Sequence, residues 1–400
     1  MSRSSIALFN LRAAVILIVL AFHSVLPYLA SLPSTPYPFD KPPYLWLAFP
    51  IVDNQRWFGF DLFCAWQDLG LMTLMFFLSG LFVPTSLARK GSLTFFSDRL
   101  LRIGLPCALA VIFLTPLAYY AAYRTTAVDP GFDAYLKHLL ALPFWPCGPQ
   151  WFLAELLAFD FVAAAAHRFV PGWDQRLVRS ATSTLCDPVR FFVVLVTISA
   201  LAYVPLMLAF SPFAWVNIGP IGFQPSRPLH YLVYFLAGVA VGSDGLDRGL
   251  LDCDGVLARR WPAWLAASLA GFALWAAPTS VTMADWSNAP LIARLAAGLG
   301  FAVACAAGCL CSLAMCLRFA HWRRRELDSL SANAYRMYLI HYTFAVWLQY
   351  ALLGTALFAI AKAAIVFGAT LAMSWTIAAA IGGLLPFSRL NATIRGLRRA

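Results

Sequence analysis

An arginine and a histidine occur in the apolar segment that begins the chain, and their spacing suits acid–base chemistry. Arg12 and His23 are eleven residues apart, so on a helix they share one face and lie about 16 Å apart along the axis. An ionisable group at the centre of a membrane helix costs roughly 2.5–3.5 kcal/mol and therefore usually faces an internal cavity. The alternative is that Arg12 reaches the inner surface and His23 is a packed polar residue. The shared face favours a functional pair, with His23 deep in the membrane.

A second group of basic residues has a spacing that suits anion binding. Arg99 and Arg102 are at positions i and i+3 and are expected to share a helical face. Two neighbouring guanidinium groups repel each other unless an anion lies between them, and a phosphate would satisfy both with forked hydrogen bonds. Arg89 is a further candidate for the same anion. The alternative is ordinary cytoplasmic positive charge that contacts lipid head groups.

Two further segments carry candidate supporting groups. Trp151 is either an interfacial anchor or part of an acceptor site, and Glu155, one turn later, is either solvated or a partner of His23. Tyr338 and His341 are at i and i+3 and are candidates for the same supporting role. A buried histidine such as His341 is also often only a satisfied core group.

The elements that must position these residues are membrane helices. The chain has 400 residues, of which 61% are hydrophobic and only 12% charged, and its mean hydropathy is +0.74. Soluble domains carry roughly 25% charged residues, so the outer surface of this protein must itself be apolar. The apolar stretches are continuous and about 20 residues long, as transmembrane helices require.

Ten such runs predict an all-α membrane protein formed by a single domain, 1–400, with a core near 6–385 and a basic cytoplasmic tail at 386–400. The net charge of +11 is spread between the runs, which argues against nucleic-acid binding, and no metal site is expected from the scattered cysteines. The runs are approximately 8–30, 67–88, 103–123, 151–170, 190–210, 229–245, 261–280, 290–317, 333–352 and 357–385.

The distribution of lysine and arginine predicts the orientation. With the N-terminus inside, 22 of the 29 basic residues fall on the cytoplasmic side, six fall on the outer side, and Lys362 lies within the tenth run. The positive-inside rule therefore places both termini in the cytoplasm. The outer loops near 31–66 and 124–150 contain aromatic residues such as Trp46 and Trp57, which are either interfacial anchors or a stacking surface for sugar rings.

Six short motifs along the chain resemble, in order, those of the acyltransferase-3 family. Two segments, Val-Leu-Ala-Phe-His23 and Arg102-Ile-Gly-Leu-Pro106, are most similar to the branch that contains the succinyltransferases of osmoregulated periplasmic glucans. The six motifs are Arg12-x10-His23, Phe76-Phe77-Leu78-Ser79-Gly80, Arg99-x-x-Arg102, Trp151-Phe152-Leu153, Phe235-x-x-Gly238 and Tyr338-Leu-x-His341.

This resemblance implies about ten transmembrane helices around an internal polar cavity, in a bacterial inner-membrane protein. It implies that acyl-CoA, as acetyl-CoA or succinyl-CoA, enters from the cytoplasm as a donor substrate rather than as a permanently bound cofactor. The acceptor would be a hydroxyl of a periplasmic or cell-surface glycan. Arg12, His23, Arg99 and Arg102 match positions that are essential in the family.

One question of mechanism and one of function stay open at this point. His23 would act either as a general base, since an unperturbed imidazole titrates near pKa 6.5, or as a transient acyl carrier. Arg12, Arg99 and Arg102 would bind the CoA phosphates. A transporter or flippase would also need intramembrane Arg and His, but it should have repeat symmetry, and the sequence has no evident internal repeat.

Overall fold

A computed structural model describes residues 2–170, 172–173, 176 and 186–384 of the chain, and its architecture is predominantly α-helical. The predicted basic tail at 386–400 lies outside these residues. A short antiparallel hairpin, β1 (Val216–Ile218) and β2 (Ile221–Phe223), accompanies the helices. The helices are α1 (Arg3–Val25), α2 (Phe58–Leu81), α3 (Val83–Lys90), α4 (Ser92–Arg99), α5 (Leu105–Leu109), α6 (Thr115–Thr126), α7 (Phe132–Ala141), α8 (Trp151–Phe169), α9 (Pro188–Phe210), α10 (Pro228–Asp244), α11 (Val256–Arg259), α12 (Trp261–Thr282), α13 (Leu291–Phe319), α14 (Arg325–Ala351) and α15 (Ala359–Leu384).

Several of these helices have the length and apolarity of membrane spans. Within the described residues seven helical segments qualify, or eight if α10 and the turn and helix that follow it, which bend by 90°, form one span. Large apolar side chains such as Leu201, Leu269 and Ile292 are exposed on these helices, as a lipid-facing surface requires. The chain is therefore a multi-pass membrane protein.

The helices α8 and α14 coincide with predicted runs but are not among these seven segments. Each contains ionisable residues, including Glu155 and Asp160 in α8 and Arg336 and His341 in α14. The polar groups that lower their hydropathy include the candidate site residues. Ten crossings, an internal polar cavity and cytoplasmic termini stay predictions.

The described residues group into two compact units that interleave along the sequence. The first unit is built from Met1–Leu11, Leu62–Val111 and Pro143–Trp322. The second is built from Arg12–Asp61, Ile112–Leu142 and the described part of Arg323–Ala400.

In the first unit, glycines bring α2 and α10 into backbone contact. A Cβ atom on Gly80 would overlap the carbonyl oxygen of Phe235, and one on Gly238 would overlap that of Phe77 and lie 3.2 Å from the Gly80 Cα. Gly242 makes the same kind of approach to Leu81. Small residues allow such close helix packing in membranes. The second and fifth sequence motifs thus form one helix–helix contact.

In the second unit, aromatic residues of the loop between α1 and α2 form a packed core. The side chain of Trp46 is 1% exposed, and its ring stacks on Phe39 with centroids 4.3 Å apart. The Tyr119 hydroxyl donates a hydrogen bond of 2.8 Å to the Leu47 carbonyl oxygen. The interpretation of this loop as a sugar-stacking surface is therefore wrong for Trp46, because packing against Phe39 occupies its ring face. Trp57, in contrast, is 48% exposed.

A buried ion pair joins the same loop to α15. The Lys362 ammonium lies 2.7 Å from Asp53 Oδ2, and both side chains are at most 3% exposed. The Asp53 backbone N–H donates to the Pro27 carbonyl oxygen at 3.1 Å, just beyond the end of α1. The pair thus fixes the loop to both α1 and α15.

Candidate active site

His23 lies in the last turn of α1 and contacts a second histidine from α14. His23 Nδ1 is 3.2 Å from His341 Nε2 and 2.9 Å from the Val19 carbonyl oxygen. His341 is fully buried, and its Nδ1 lies 2.7 Å from the Tyr338 carbonyl oxygen. The sequence placed these two histidines in separate motifs, and the fold of the second unit brings them together.

These contacts fix the tautomers of both imidazoles. A carbonyl oxygen only accepts, so His341 Nδ1 must carry a hydrogen, and the neutral ring then has its lone pair on Nε2. His23 Nδ1 faces this lone pair and the Val19 oxygen, both acceptors, so His23 Nδ1 must be the donor. The basic lone pair of His23 is therefore on Nε2, which is the form a general base or nucleophile requires.

Other groups of the second unit hold the His23 ring and backbone. The rings of Phe22 and Tyr342 contact it edge-on, with centroids 5.1 Å and 5.3 Å away. The Gln349 side-chain amide donates a hydrogen bond of 2.6 Å to the His23 carbonyl oxygen. His23 itself is half-buried, so its ring is held by its neighbours and still partly accessible.

The structure places Arg12 on the same uninterrupted helix as His23. α1 runs from Arg3 to Val25 without a break, so the separation of about 16 Å along one face follows directly from helix geometry. Arg12 is exposed. Arg12 is the tenth of the 23 residues of α1. Its predicted position at the membrane boundary and its phosphate-binding role stay predictions.

The predicted anion-binding arginines line a single cavity in the first unit. Its volume is about 490 Å³, and its wall combines cationic, hydroxyl and aromatic side chains. Arg99 ends α4 and Arg102 lies in a π-helical turn, Leu100–Gly104, that widens the helix at this point. The lining residues are Phe82, Thr85, Ser86, Arg89, Lys90, Phe95, Asp98, Arg99 and Arg102.

Carboxylates of the protein already compensate part of this positive charge. Lys90 pairs with Asp98 at 2.7 Å, and Arg99 Nε lies 3.3 Å from Asp160 Oδ2 of α8. The expectation that Arg99 and Arg102 need an external anion between them is thus incomplete, because Asp160 supplies a counter-charge to Arg99. The cavity retains an excess of positive charge and is suited to a phosphate-bearing ligand.

Trp151 and Glu155 lie beside a further charged cluster in the first unit. Trp151 stacks on Tyr231 with centroids 6.3 Å apart. Arg227 makes two hydrogen bonds of 2.7 Å to Asp68, and its charge acts on Glu155. Glu155 thus has a cation of its own unit nearby, and its predicted partnership with His23 stays a prediction.

Sequence reasoning missed Asp160, Asp68 and Arg227 as members of these sites. Asp160 carried a usable signal, because it is an isolated acidic residue inside an apolar run. Asp68 and Arg227 lie at the starts of two runs, where charges are ordinary, and nothing in their spacing predicts the pair. For His341 the sequence allowed a role as a buried core residue. The structure shows that His341 contacts His23.

Comparisons with known proteins place the chain in a family. A family model described as an acyltransferase domain, of the acyltransferase-3 type, matches residues 6–379. No curated protein and no solved structure matches the chain. The matched range covers nearly the whole chain and includes both histidines and the cavity arginines.

Proposed function

Because the chain belongs to the acyltransferase-3 family, we propose that it transfers an acyl group from acyl-CoA to a hydroxyl of a periplasmic or cell-surface glycan. The observation that carries the proposal is the pair of His23 and His341, whose hydrogen bonds leave the basic lone pair on His23 Nε2. A membrane acyltransferase needs such a base in a protected setting. The membrane would be the inner membrane of a bacterium.

The chemistry assigned to His23 is base catalysis of acyl transfer. Nε2 takes the proton of the acceptor hydroxyl as its oxygen attacks the thioester carbonyl carbon. The tetrahedral intermediate then expels the CoA thiolate, which receives the proton from Nε2. His341 stabilises the charged imidazole by accepting the hydrogen bond from His23 Nδ1. Direct attack by Nε2, which gives an acyl-imidazole before the hydroxyl arrives, uses the same lone pair.

The donor site is assigned to the cavity lined by Arg89, Arg99 and Arg102. A guanidinium group forms two parallel hydrogen bonds to a phosphate, and CoA carries phosphates on both its ribose and its pyrophosphate bridge. Thr85 and Ser86 offer hydroxyl donors in the same wall. The positive-inside distribution supports a cytoplasmic position for this cavity. Arg12 is assigned a supporting role in phosphate binding.

The acceptor site is assigned to the surroundings of Trp151 and Glu155. A half-exposed indole can stack on the C–H face of a sugar ring, and the carboxylate can accept its hydroxyl hydrogens. The ion pair of Arg227 and Asp68 adds charged hydrogen-bonding groups nearby. The acyl group in this proposal is acetyl or succinyl.

Sidedness and chemistry are tested together in inside-out vesicles that contain the purified protein. Acyl-CoA labelled in its acyl group is added to the exposed cytoplasmic face, and glucan acceptor is sealed in the lumen. We expect label on the luminal glucan and release of free CoA outside. His23→Ala should abolish both, while His138→Ala, which changes an exposed histidine of α7, should leave them unchanged.

Two results would contradict the proposal in different ways. Acylation by the His23→Ala protein at the wild-type rate would remove His23 from the mechanism. Acylation that requires acceptor on the same face as acyl-CoA would leave an acyltransferase but exclude transfer across the membrane. Movement of unmodified glucan without release of CoA would instead indicate a transporter.

A further inference from the structure

Asp160 of α8 is a buried carboxylate at the donor cavity that the proposed steps leave without a role. Its side chain is 1% exposed, and Oδ2 lies 3.3 Å from Arg99 Nε. Within the described part of the chain neither carboxylate oxygen has a hydrogen-bond partner. Arg99 is 28% exposed and lines the cavity. Asp160 therefore approaches Arg99 from within the protein.

Holding α4 and α8 together through the ion pair of Arg99 and Asp160 carries a large desolvation cost. Burial of a carboxylate costs several kcal/mol, and apolar residues in place of a buried ion pair are often neutral or stabilising. The neighbours Phe159 and Phe161 provide apolar contacts to Phe235 and Phe96. Packing alone thus gives no reason for a carboxylate at this position.

The geometry of the pair determines which edge of the Arg99 guanidinium stays available. Asp160 occupies the side of Nε, and the guanidinium carbon lies over the Phe95 ring, 5.1 Å from its centroid. The remaining fork, formed by Nη1 and Nη2, is the edge that binds a phosphate through two parallel hydrogen bonds. Asp160 and Phe95 together restrict a side chain that would otherwise be mobile.

We propose that Asp160 is a positioning residue for the acyl donor: it holds Arg99 so that the Nη1–Nη2 fork binds a donor phosphate. This inference rests on the proposed donor site and adds a group that does not itself touch the donor. Pre-organisation of Arg99 reduces the conformational entropy lost when the phosphate binds.

A second effect of Asp160 has the opposite sign. A negative charge near the cavity repels an anionic ligand by Coulomb's law, so its removal by itself would strengthen donor binding. If Asp160 only lowered the positive potential of the cavity, its removal would strengthen donor binding. A positioning residue weakens donor binding when it is removed, provided that Arg99 is present. Whether removal of Asp160 weakens or strengthens donor binding therefore distinguishes a positioning role from a purely electrostatic one.

The experiment measures binding of coenzyme A to the purified full-length protein in lipid nanodiscs by titration calorimetry. Asp160→Asn should weaken binding about tenfold, the scale of the entropy lost when one flexible side chain is immobilised on binding. In an Arg99→Ala background the same substitution should strengthen binding, because only the repulsion remains to be removed. Asp254→Asn, which breaks an exposed pair with Arg3, is the control and should change nothing.

A second variant leaves Asp160 in place. Arg99→Lys keeps the positive charge but has no separate Nε edge, so its ammonium group cannot pair with Asp160 and also present a fork. We expect a loss of affinity similar to that of Asp160→Asn. The coenzyme A affinity of the Arg99→Lys protein tests the positioning role even if the Asp160→Asn protein does not fold.

The possible outcomes distinguish this proposal from the assignment of the donor site. Stronger binding by Asp160→Asn in the presence of Arg99, or wild-type affinity in Arg99→Lys, would overturn the positioning role alone. Unchanged affinity in both Arg99→Ala and Arg102→Ala proteins would place coenzyme A elsewhere and overturn the donor site itself. If Asp160→Asn weakens coenzyme A binding when Arg99 is present and strengthens it in the Arg99→Ala background, both the positioning role and the donor site are supported.

Discussion

At the scale of single residues, the chemistry depends on pairs of side chains rather than on isolated groups. His23 alone is an imidazole with two possible neutral tautomers, and the contacts of its Nδ1 with the Val19 carbonyl oxygen and with His341 Nε2 assign the proton. Arg99 alone is a mobile cation, and Asp160 gives its guanidinium a direction. The same logic orients the base in hydrolases, where a third group holds the catalytic histidine.

The first prediction concerns this histidine pair. His341→Ala should lower kcat by about 10²-fold, the lower end of what general acid–base catalysis contributes, because His23 would lose an acceptor that stabilises its protonated form. His341→Gln should recover part of the loss, since its amide oxygen can accept the hydrogen bond from His23 Nδ1. KM for both substrates should change little. An unchanged kcat in His341→Ala would refute the relay between the two rings.

The second prediction concerns the donor cavity. Arg102→Ala should raise KM for acyl-CoA about tenfold or more with little change in kcat, since the phosphate contact is made equally in the ground and transition states. Arg102→Lys should restore only part of the affinity, because an ammonium group lacks the bidentate fork. Arg248→Ala, at an exposed arginine outside this cavity, is the control. Equal KM values in the three proteins would remove Arg102 from the donor site.

At the scale of secondary-structure elements, two features of the helices shape the donor cavity. The π-helical turn after α4 places Arg102 off the regular helical spacing, and α8 carries Asp160 against the end of α4. The contact of α2 with α10 lies in the same unit and depends on glycine, because each Cβ would meet a carbonyl oxygen of the facing helix. Motifs that look unrelated in the sequence are thus opposite sides of one contact.

The third prediction tests this helix contact. Gly238→Ala should lower the stability of the protein by about 1–3 kcal/mol, the usual cost of overpacking. Gly368→Ala is the matched control: it also lies within a long helix, but a Cβ there would meet nothing within 4 Å. It should be neutral or slightly stabilising, because alanine favours the helix. Thermal unfolding in detergent measures both, and equal loss in the two variants would exclude close packing as the cause.

At the scale of the whole molecule, the cost of placing a charge in lipid or in the protein interior decides where charged side chains lie. The candidate spans expose apolar side chains, while buried ionic groups are paired, as in Asp53 with Lys362. A buried charge whose partner is removed costs on the order of 3–5 kcal/mol. This pair therefore couples the fold of the loop between α1 and α2 to α15.

The fourth prediction follows from that coupling. Lys362→Met should strongly destabilise the protein by leaving Asp53 unpaired, by on the order of 3–5 kcal/mol. The double variant with Asp53→Asn should recover most of the loss, since both charges are then absent. Lys137→Met, at an exposed lysine of α7, should have little effect. Additive losses in the double variant would show that the two residues act independently.

The sequence by itself determined the class of fold, the family and most of the candidate residues. Continuous apolar runs can only be helices in a membrane, and each predicted run overlaps at least one described helix. His23 was recognisable because an ionisable group within an apolar run is costly, and Arg99 and Arg102 were recognisable by their i, i+3 spacing. These are local properties, which the order of amino acids encodes directly.

Only the tertiary structure decided which of these groups meet. His23 and His341 are 318 residues apart, and Asp53 and Lys362 are 309 apart. Membrane helices are apolar on nearly every face, so hydropathy does not indicate which helix packs against which. The choice is made by close packing, as at Gly80 and Gly238, and by the need to pair buried charges. Both depend on contacts between distant segments, and for that reason the partners of His23 and Arg99 became visible only in the folded chain.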